Sequence, residues 1–279
     1  MISQSMTEIE RRSKPWPGRV LVGFDGSPNS VVAIEWAIRE VAARGSALRL
    51  GSSASRLSCL HHHGLADLHR QRLCAVLHQL RAEHPSLVVE LASTHGDPRQ
   101  ALIEEAGDAD LLVLAASTNE PAHTVLLGSL AQQAMRRSPC PVVVVRGSRT
   151  GPVRRIVLGI DGSGADAALD WACVETNLHR ADLLVVQSRN DVISRAEAEC
   201  VLDLAVKECR ARTGERVRGA LVERSLASAL IDASRTADLV AVASRECTGF
   251  KTAAVSSMAL KVAEGASCPV AVTHPNNPT

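Results

Sequence analysis

Two aspartates stand where this chain could meet a ligand. Asp25 closes the apolar run Val20-Leu21-Val22-Gly23-Phe24 and is followed by Gly26-Ser27; Asp161 closes Ile156-Val157-Leu158-Gly159-Ile160 and is followed by Gly162-Ser163. A carboxylate at a strand end, above a tight Gly-Ser turn, can face a ligand hydroxyl or a metal ion. The same triplet can equally order its own turn and cap the next helix, and the residues alone leave both readings open. A second constellation is Leu126-Leu127-Gly128-Ser129-Leu130, at the head of an expected helix. Free N–H groups and a hydroxyl there could cradle a phosphate; the alternative is an ordinary helix start capped by Ser129 or Thr124. The later counterpart, Val255-Ser256-Ser257, keeps hydroxyls but not the glycine.

Other chemistries find less support. Cys59 and the run His61, His62, His63 invite a metal, but three adjacent side chains do not easily converge on one ion. No Cys or His follows at finger spacing, so a polar loop is the default and no metal is expected. Ser-His-Asp catalysis lacks a G-x-S-x-G elbow, and neither aspartate has a repeated histidine beside it. No catalytic residue is assigned.

These candidates need strands and helices to position them, and the chain supplies the set twice. The two strand–Asp-Gly-Ser openings are each followed by a helical pattern carrying a tryptophan, and both halves close on Cys-Pro-Val, at Cys140-Pro141-Val142 and Cys268-Pro269-Val270. Bracketing signals of this kind mark a duplicated unit. The expected organisation is a flexible tail over 1–18, a first domain over 19–147, a linker over 148–154, a second domain over 155–273 and a short tail over 274–279. In the first unit, strands are expected at 19–24, 47–53, 87–91, 110–115 and 142–146, with helices at 29–43, 65–83, 98–106 and 125–136. The second repeats the order, with strands at 155–160, 183–187, 217–222, 239–242 and 269–273 and helices at 165–176, 193–213, 228–234 and 253–264. Alternation of this kind requires crossovers and a mainly parallel sheet. The fold class is α/β: two tandem units, each a five-stranded sheet with helices on both faces. The last strand of each unit needs a cover, and the matching strand of the other unit is the natural one.

Composition narrows the function classes. Lys and Arg number 31 against 30 Asp and Glu, so neither a nucleic-acid footprint nor a polybasic membrane surface is expected. Three Trp, two Phe and no Tyr supply few stacking platforms. No apolar run approaches the roughly 18 residues of a membrane span. Residues 1–17 are polar and lack the apolar stretch of a secretory signal. The eight cysteines include no CxxC pair, which suits buried thiols in a reducing cytoplasm.

Taken together, the strand ending in Asp-Gly-Ser, the Gly96-Asp97-Pro98 turn, Leu126-Leu127-Gly128-Ser129 and the paired Cys-Pro-Val strands resemble the universal stress protein family in its tandem form. The resemblance runs from about Arg19 to Thr273. It implies a five-stranded α/β sandwich whose last strands pair, here within one chain, with a further homodimer or a regulatory protein as partner. Some members bind ATP through an Asp after strand one and a glycine motif, G-x-x-G, nine residues, then G-S or G-T. Asp25 and Asp161 match the first element, and Gly128 and Ser129 match the last. The first two glycines fall on Ala115 and Thr118 in unit one and on Ala243 and Glu246 in unit two, where Ser256-Ser257 end the motif. Side chains at left-handed positions cost about 1–2 kcal/mol each, and Glu120 and Glu246 bring like charge toward a phosphate. The expectation is a non-enzymatic stress-response protein acting through ligand or protein binding, with no resident cofactor. ATP binding is expected to be weak or lost in unit one and absent from unit two. The alternative is an ATP-binding protein with slow ATPase activity in unit one, using Asp25, Gly128, Ser129 and Leu130.

Overall fold

The computed structural model describes residues 18–52, 63–92, 98–118, 125–146, 151–161, 166–189, 194–244 and 257–274. The first unit runs β1 (Arg19–Phe24), α1 (Pro28–Arg44), β2 (Ala47–Ser52), α2 (His63–Glu83), β3 (Val89–Ala92), α3 (Pro98–Glu105), β4 (Leu111–Ala115), β5 (Ser117–Thr118), β6 (Val125–Leu126), α4 (Ser129–Arg137) and β7 (Val142–Val145). The second runs β8 (Arg155–Ile160), α5 (Asp166–His179), β9 (Asp182–Ser188), α6 (Arg195–Thr213), β10 (Val217–Val222), α7 (Leu226–Ala233), β11 (Leu239–Ala243), α8 (Ser257–Gly265) and β12 (Val270–Thr273).

Local chemistry explains the helix ends. The Ser27 side chain accepts from the Ser30 N–H to cap α1, Pro28 fills the first turn where its missing N–H costs nothing, and Gly45 ends the helix at φ +62°. Along the helix, Ala33, Ile34, Ala37 and Val41 are buried at helical spacing. Ser194 and Glu197 form a reciprocal capping box at the head of α6.

The sheet is one ten-stranded layer in the order β10-β9-β8-β11-β12-β7-β4-β1-β2-β3. Within each unit this sheet's pairings are parallel, as crossovers require, while β5 and β6 form a separate antiparallel pair. The units meet through β7 and β12, antiparallel, with Val142, Val143 and Val144 opposite Val272, Ala271 and Val270. The two expected edge strands therefore cover each other. Alternating strand residues feed two cores that run unbroken across this joint. Val20, Val22, Leu111, Val113, Ile156 and Leu158 face α1, α2, α5 and α6. Leu21, Leu112, Leu114, Val142, Val157 and Val240 face α3, α4, α7 and α8. Each fully buried Val or Leu contributes roughly 1.5–3 kcal/mol, so this shared core binds the units, and the cysteines among the described residues are free thiols. Cys140 and Cys268 are buried immediately before β7 and β12 and act as small hydrophobes. Burial raises the Cys140 thiol to about 11, leaving it protonated.

One expected element needs correction. A helix is expected over 125–136, but Val125 and Leu126 are strand, paired with Thr118 and Ser117, and the helix begins at Ser129. β-Branched Val125 suits that ladder, and Gly128 separates it from the helix. The helix expected over 65–83 begins two residues earlier, at His63. Cys59, His61, His62, Glu120, Glu246, Ser256 and the Gly96-Asp97 turn lie outside the described residues.

Candidate functional site

In unit one the strand order β3-β2-β1-β4-β7 reverses direction between β1 and β4. Crossovers diverge to opposite faces at such a point, and a crevice opens beyond the carboxyl ends of the two strands. Asp25 stands at its lip, exposed, directly after β1. Its Oδ1 accepts from the Ser27 N–H at 2.9 Å, and Gly26 makes the turn at φ +80°. The Ser30 hydroxyl donates to the Ser27 carbonyl at 2.7 Å. Partial burial pushes the Asp25 carboxyl up, but hydrogen bonds from Ser27 and Ser30 outweigh it and hold the group below the usual carboxylate range. Asp25 therefore orders its own turn, while Ser27 rather than Asp25 caps α1. The carboxylate is ionised and remains open to solvent.

The opposite lip is built from the end of β4. The Asn29 side-chain amide donates to the Ala116 carbonyl at 3.1 Å, which ties the head of α1 to the exit of β4. The Ala116 N–H donates to the Val145 carbonyl at 2.9 Å. From there the chain enters the β5–β6 pairing and then the head of α4. Gly128 is the N-cap of α4, at φ −58° and ψ 154°, and offers no side-chain cap. Ser129 is the first helical residue, not the cap, and is exposed. Leu130 is half-buried and packs into the core under α4. With no side-chain acceptor at its cap, the α4 head presents backbone N–H groups and the positive end of a helix dipole. The residue that sequence reasoning missed is Arg72. It reaches from α2 to donate to the Gly26 carbonyl at 3.2 Å, which places a cation over the Asp25 turn. Nothing in the pattern of α2 distinguishes it from the other surface arginines.

Unit two repeats the frame, with its switch point between β8 and β11. Asp161 follows β8 and is half-buried. The Ser244 N–H donates to the Thr273 carbonyl at 2.7 Å, as the Ala116 N–H does to Val145 in unit one. The floor differs. Gln187, level with Ile160 on β9, and Thr273, level with Ala243 on β12, are both fully buried. Gln187 Oε1 and Thr273 Oγ1 find no hydrogen-bond partner among the described residues. The corresponding place on β7 is taken by apolar Val145.

A family model described as the universal stress protein family matches the chain twice, over residues 18–146 and 152–274. The chain belongs to the universal stress protein family. A universal stress protein of Mycobacterium tuberculosis is 27% identical over 286 residues, covering 91% of this chain and 96% of the relative. One from Mycolicibacterium smegmatis is 25% identical, covering 92% and 97%. Among solved structures, a universal stress protein from Archaeoglobus fulgidus superposes with a TM-score of 0.75 at 18% identity, over 92% of this chain and 98% of that one. A universal stress protein from Pseudomonas aeruginosa gives 0.67 at 16%, over 92% and 93%. At such identities these structures speak for the fold alone. As a tandem universal stress protein, the chain carries two family units in one sheet, and the two units have diverged at their crevices.

Proposed function

We propose that this universal stress protein is a non-enzymatic binding protein. Its first crevice is a degenerate adenine-nucleotide site of low affinity, and its second has left nucleotide binding. The observation that carries this reading is the β5–β6 pairing between β4 and α4. Thr118, where the family motif places a glycine, sits in an extended ladder opposite Val125, so backbone there is committed to the protein instead of to phosphates. What remains for an anion is the uncapped α4 head, with Arg72 held on the Asp25 turn as a further cation of this unit. Losing one charge-assisted phosphate contact, roughly 1.5–3 kcal/mol, weakens binding about ten- to over one-hundred-fold.

Isothermal titration of the full chain with ATP tests this. One weak site per chain is expected, lost in Asp25→Ala and retained in Asp161→Ala. Tight binding of two nucleotides per chain, or steady ATP turnover abolished by Asp25→Ala, would overturn it.

A further inference from the structure

Away from both crevices, the two units meet at a second cluster of polar side chains. Glu40 and Arg44 lie one turn apart on α1, and Glu175 and His179 lie one turn apart on α5, at matching offsets from Trp36 and Trp171. The duplication thus sets two copies of a Glu–cation pair face to face. Glu40 and Glu175 are 1% and 0% exposed. Arg44 takes one oxygen from each: its Nε is 3.2 Å from Glu40 Oε2, and its terminal nitrogen bonds Glu175 Oε1. The remaining two oxygens turn toward His179, whose Nε2 is 2.9 Å from Glu40 Oε1 and 3.5 Å from Glu175 Oε2. Glu175 Oε2 is buried without a hydrogen-bond donor, and the His179 Nε2 is aligned for a hydrogen bond with neither carboxylate.

We propose that Glu40, Glu175 and His179 form a site for one divalent transition-metal ion of the zinc class, held between the units, with Arg44 orienting the two carboxylates. One ligand atom from each residue lies within 4.8 Å of the others. The two separations from His179 bracket the edge of about 3.3–3.5 Å expected of a tetrahedron with metal–ligand bonds near 2.0–2.1 Å. Ligating carboxylates are characteristically held by an outer partner on their second oxygen, and Arg44 bonds that oxygen on both. A buried, donorless carboxylate oxygen beside an imidazole nitrogen is also what a cation would satisfy. Exposure in the cluster is confined to the Arg44 and His179 side chains, 16% and 11%, and this opening gives an ion its entry.

The charges balance without a co-reactant. Before loading, Arg44 and an imidazolium at His179 offset two carboxylates. On loading, the Nε2 proton leaves to solvent, the ion takes its place, and a hydroxide or chloride in the fourth position offsets the added charge. Unit one contributes an arginine where unit two contributes the histidine, so the duplication yields one site for the pair of units, not two.

The full chain, stripped with chelator, is titrated with Zn²⁺ by calorimetry and with Co²⁺ by visible absorption. The expected result is one ion per chain in this site, with the intense d–d bands of a low-coordinate centre. A Cys59→Ala, His61→Ala, His62→Ala, His63→Ala variant separates this ion from any held by the histidine run and is expected to keep it. Glu175→Gln is expected to weaken affinity at least tenfold. His179→Arg, which restores two fixed cations against two carboxylates and so keeps the buried charges paired, is expected to fold and to lose both the bands and the rise in Tm on adding zinc. No binding to the parent chain, or binding that survives His179→Arg or disappears with the histidine run, overturns the proposal.

Discussion

Arg180 and Gly18 are both held at positive φ, with opposite consequences. Arg180 ends α5 at φ +52°, where Gly45 ends α1 at φ +62°, and both helices close with an N–H reaching back five residues, Ala181 to Thr176 and Ser46 to Val41. A side chain in the left-handed region costs about 1–2 kcal/mol, partly offset in Arg180→Gly by the greater freedom of the unfolded chain. Arg180→Gly is expected to stabilise by about 0.5–1 kcal/mol, read as a higher urea midpoint at constant m-value. Gly18, at φ +138°, is different, because a Cβ there would stand 2.1 Å from Asp110 Oδ2. That oxygen accepts the Arg19 N–H at 2.9 Å and fastens the start of β1. Gly18→Ala combines backbone strain with the loss of that bond and is expected to destabilise by about 1–3 kcal/mol in the same measurement. The fastening recurs in unit two, where Asp238 Oδ2 accepts from Arg154 and Arg155.

At the scale of elements, the head of α4 sets stability against binding. Its Gly128 cap already has the extended backbone an aspartate cap adopts, so Gly128→Asp is expected to stabilise the helix by a few tenths of a kcal/mol. The same carboxylate would occupy the anion position and repel phosphate. Nucleotide affinity is therefore expected to fall while Tm rises slightly, as followed by calorimetry and thermal melting. A variant that gained stability and kept its affinity would place the nucleotide elsewhere. The alternation of strand and helix was legible because apolar runs such as Val142 to Val145 and the spacing of Ala33, Ile34, Ala37 and Val41 are local signals. The β5–β6 pairing was not, because its two-residue strands straddle residues 119–124 and depend on a partner across that gap. Asp25 and Gly128 were legible as types, and the local bond that turns Asp25 onto Ser27 was one of the two readings its triplet allowed, but the approach of Arg72 depends on packing that no spacing encodes. The Glu40–His179 cluster was hidden for the same reason, since each half reads as an ordinary helix-surface ion pair until the units meet.

The whole molecule is one sheet made from two copies, and its joint responds to protons as well as to packing. Arg44 carries a permanent charge, so the balance of the four-residue cluster in metal-free protein depends on His179. Burial alone would lower the pKa of that imidazole, but Glu175 and Glu40 outweigh it and raise it to about 9 from an ordinary 6.5. The folded chain therefore holds a proton that the unfolded chain releases between those values. Its stabilising contribution is complete below about pH 6.5 and is lost as pH rises through 9. Above that range a buried carboxylate loses its counter-charge at the place where α1 and α5 meet. Urea unfolding in chelator between pH 6 and 9.5 should show stability falling with pH in the parent chain. In His179→Arg the slope is expected to flatten, because the cation no longer titrates. A parent chain whose stability is level across this range would place no proton on His179. Because both cores continue through β7 and β12, this loss is expected as a drop in a single cooperative transition, reported alike by Trp36 and Trp171, not as one unit melting before the other.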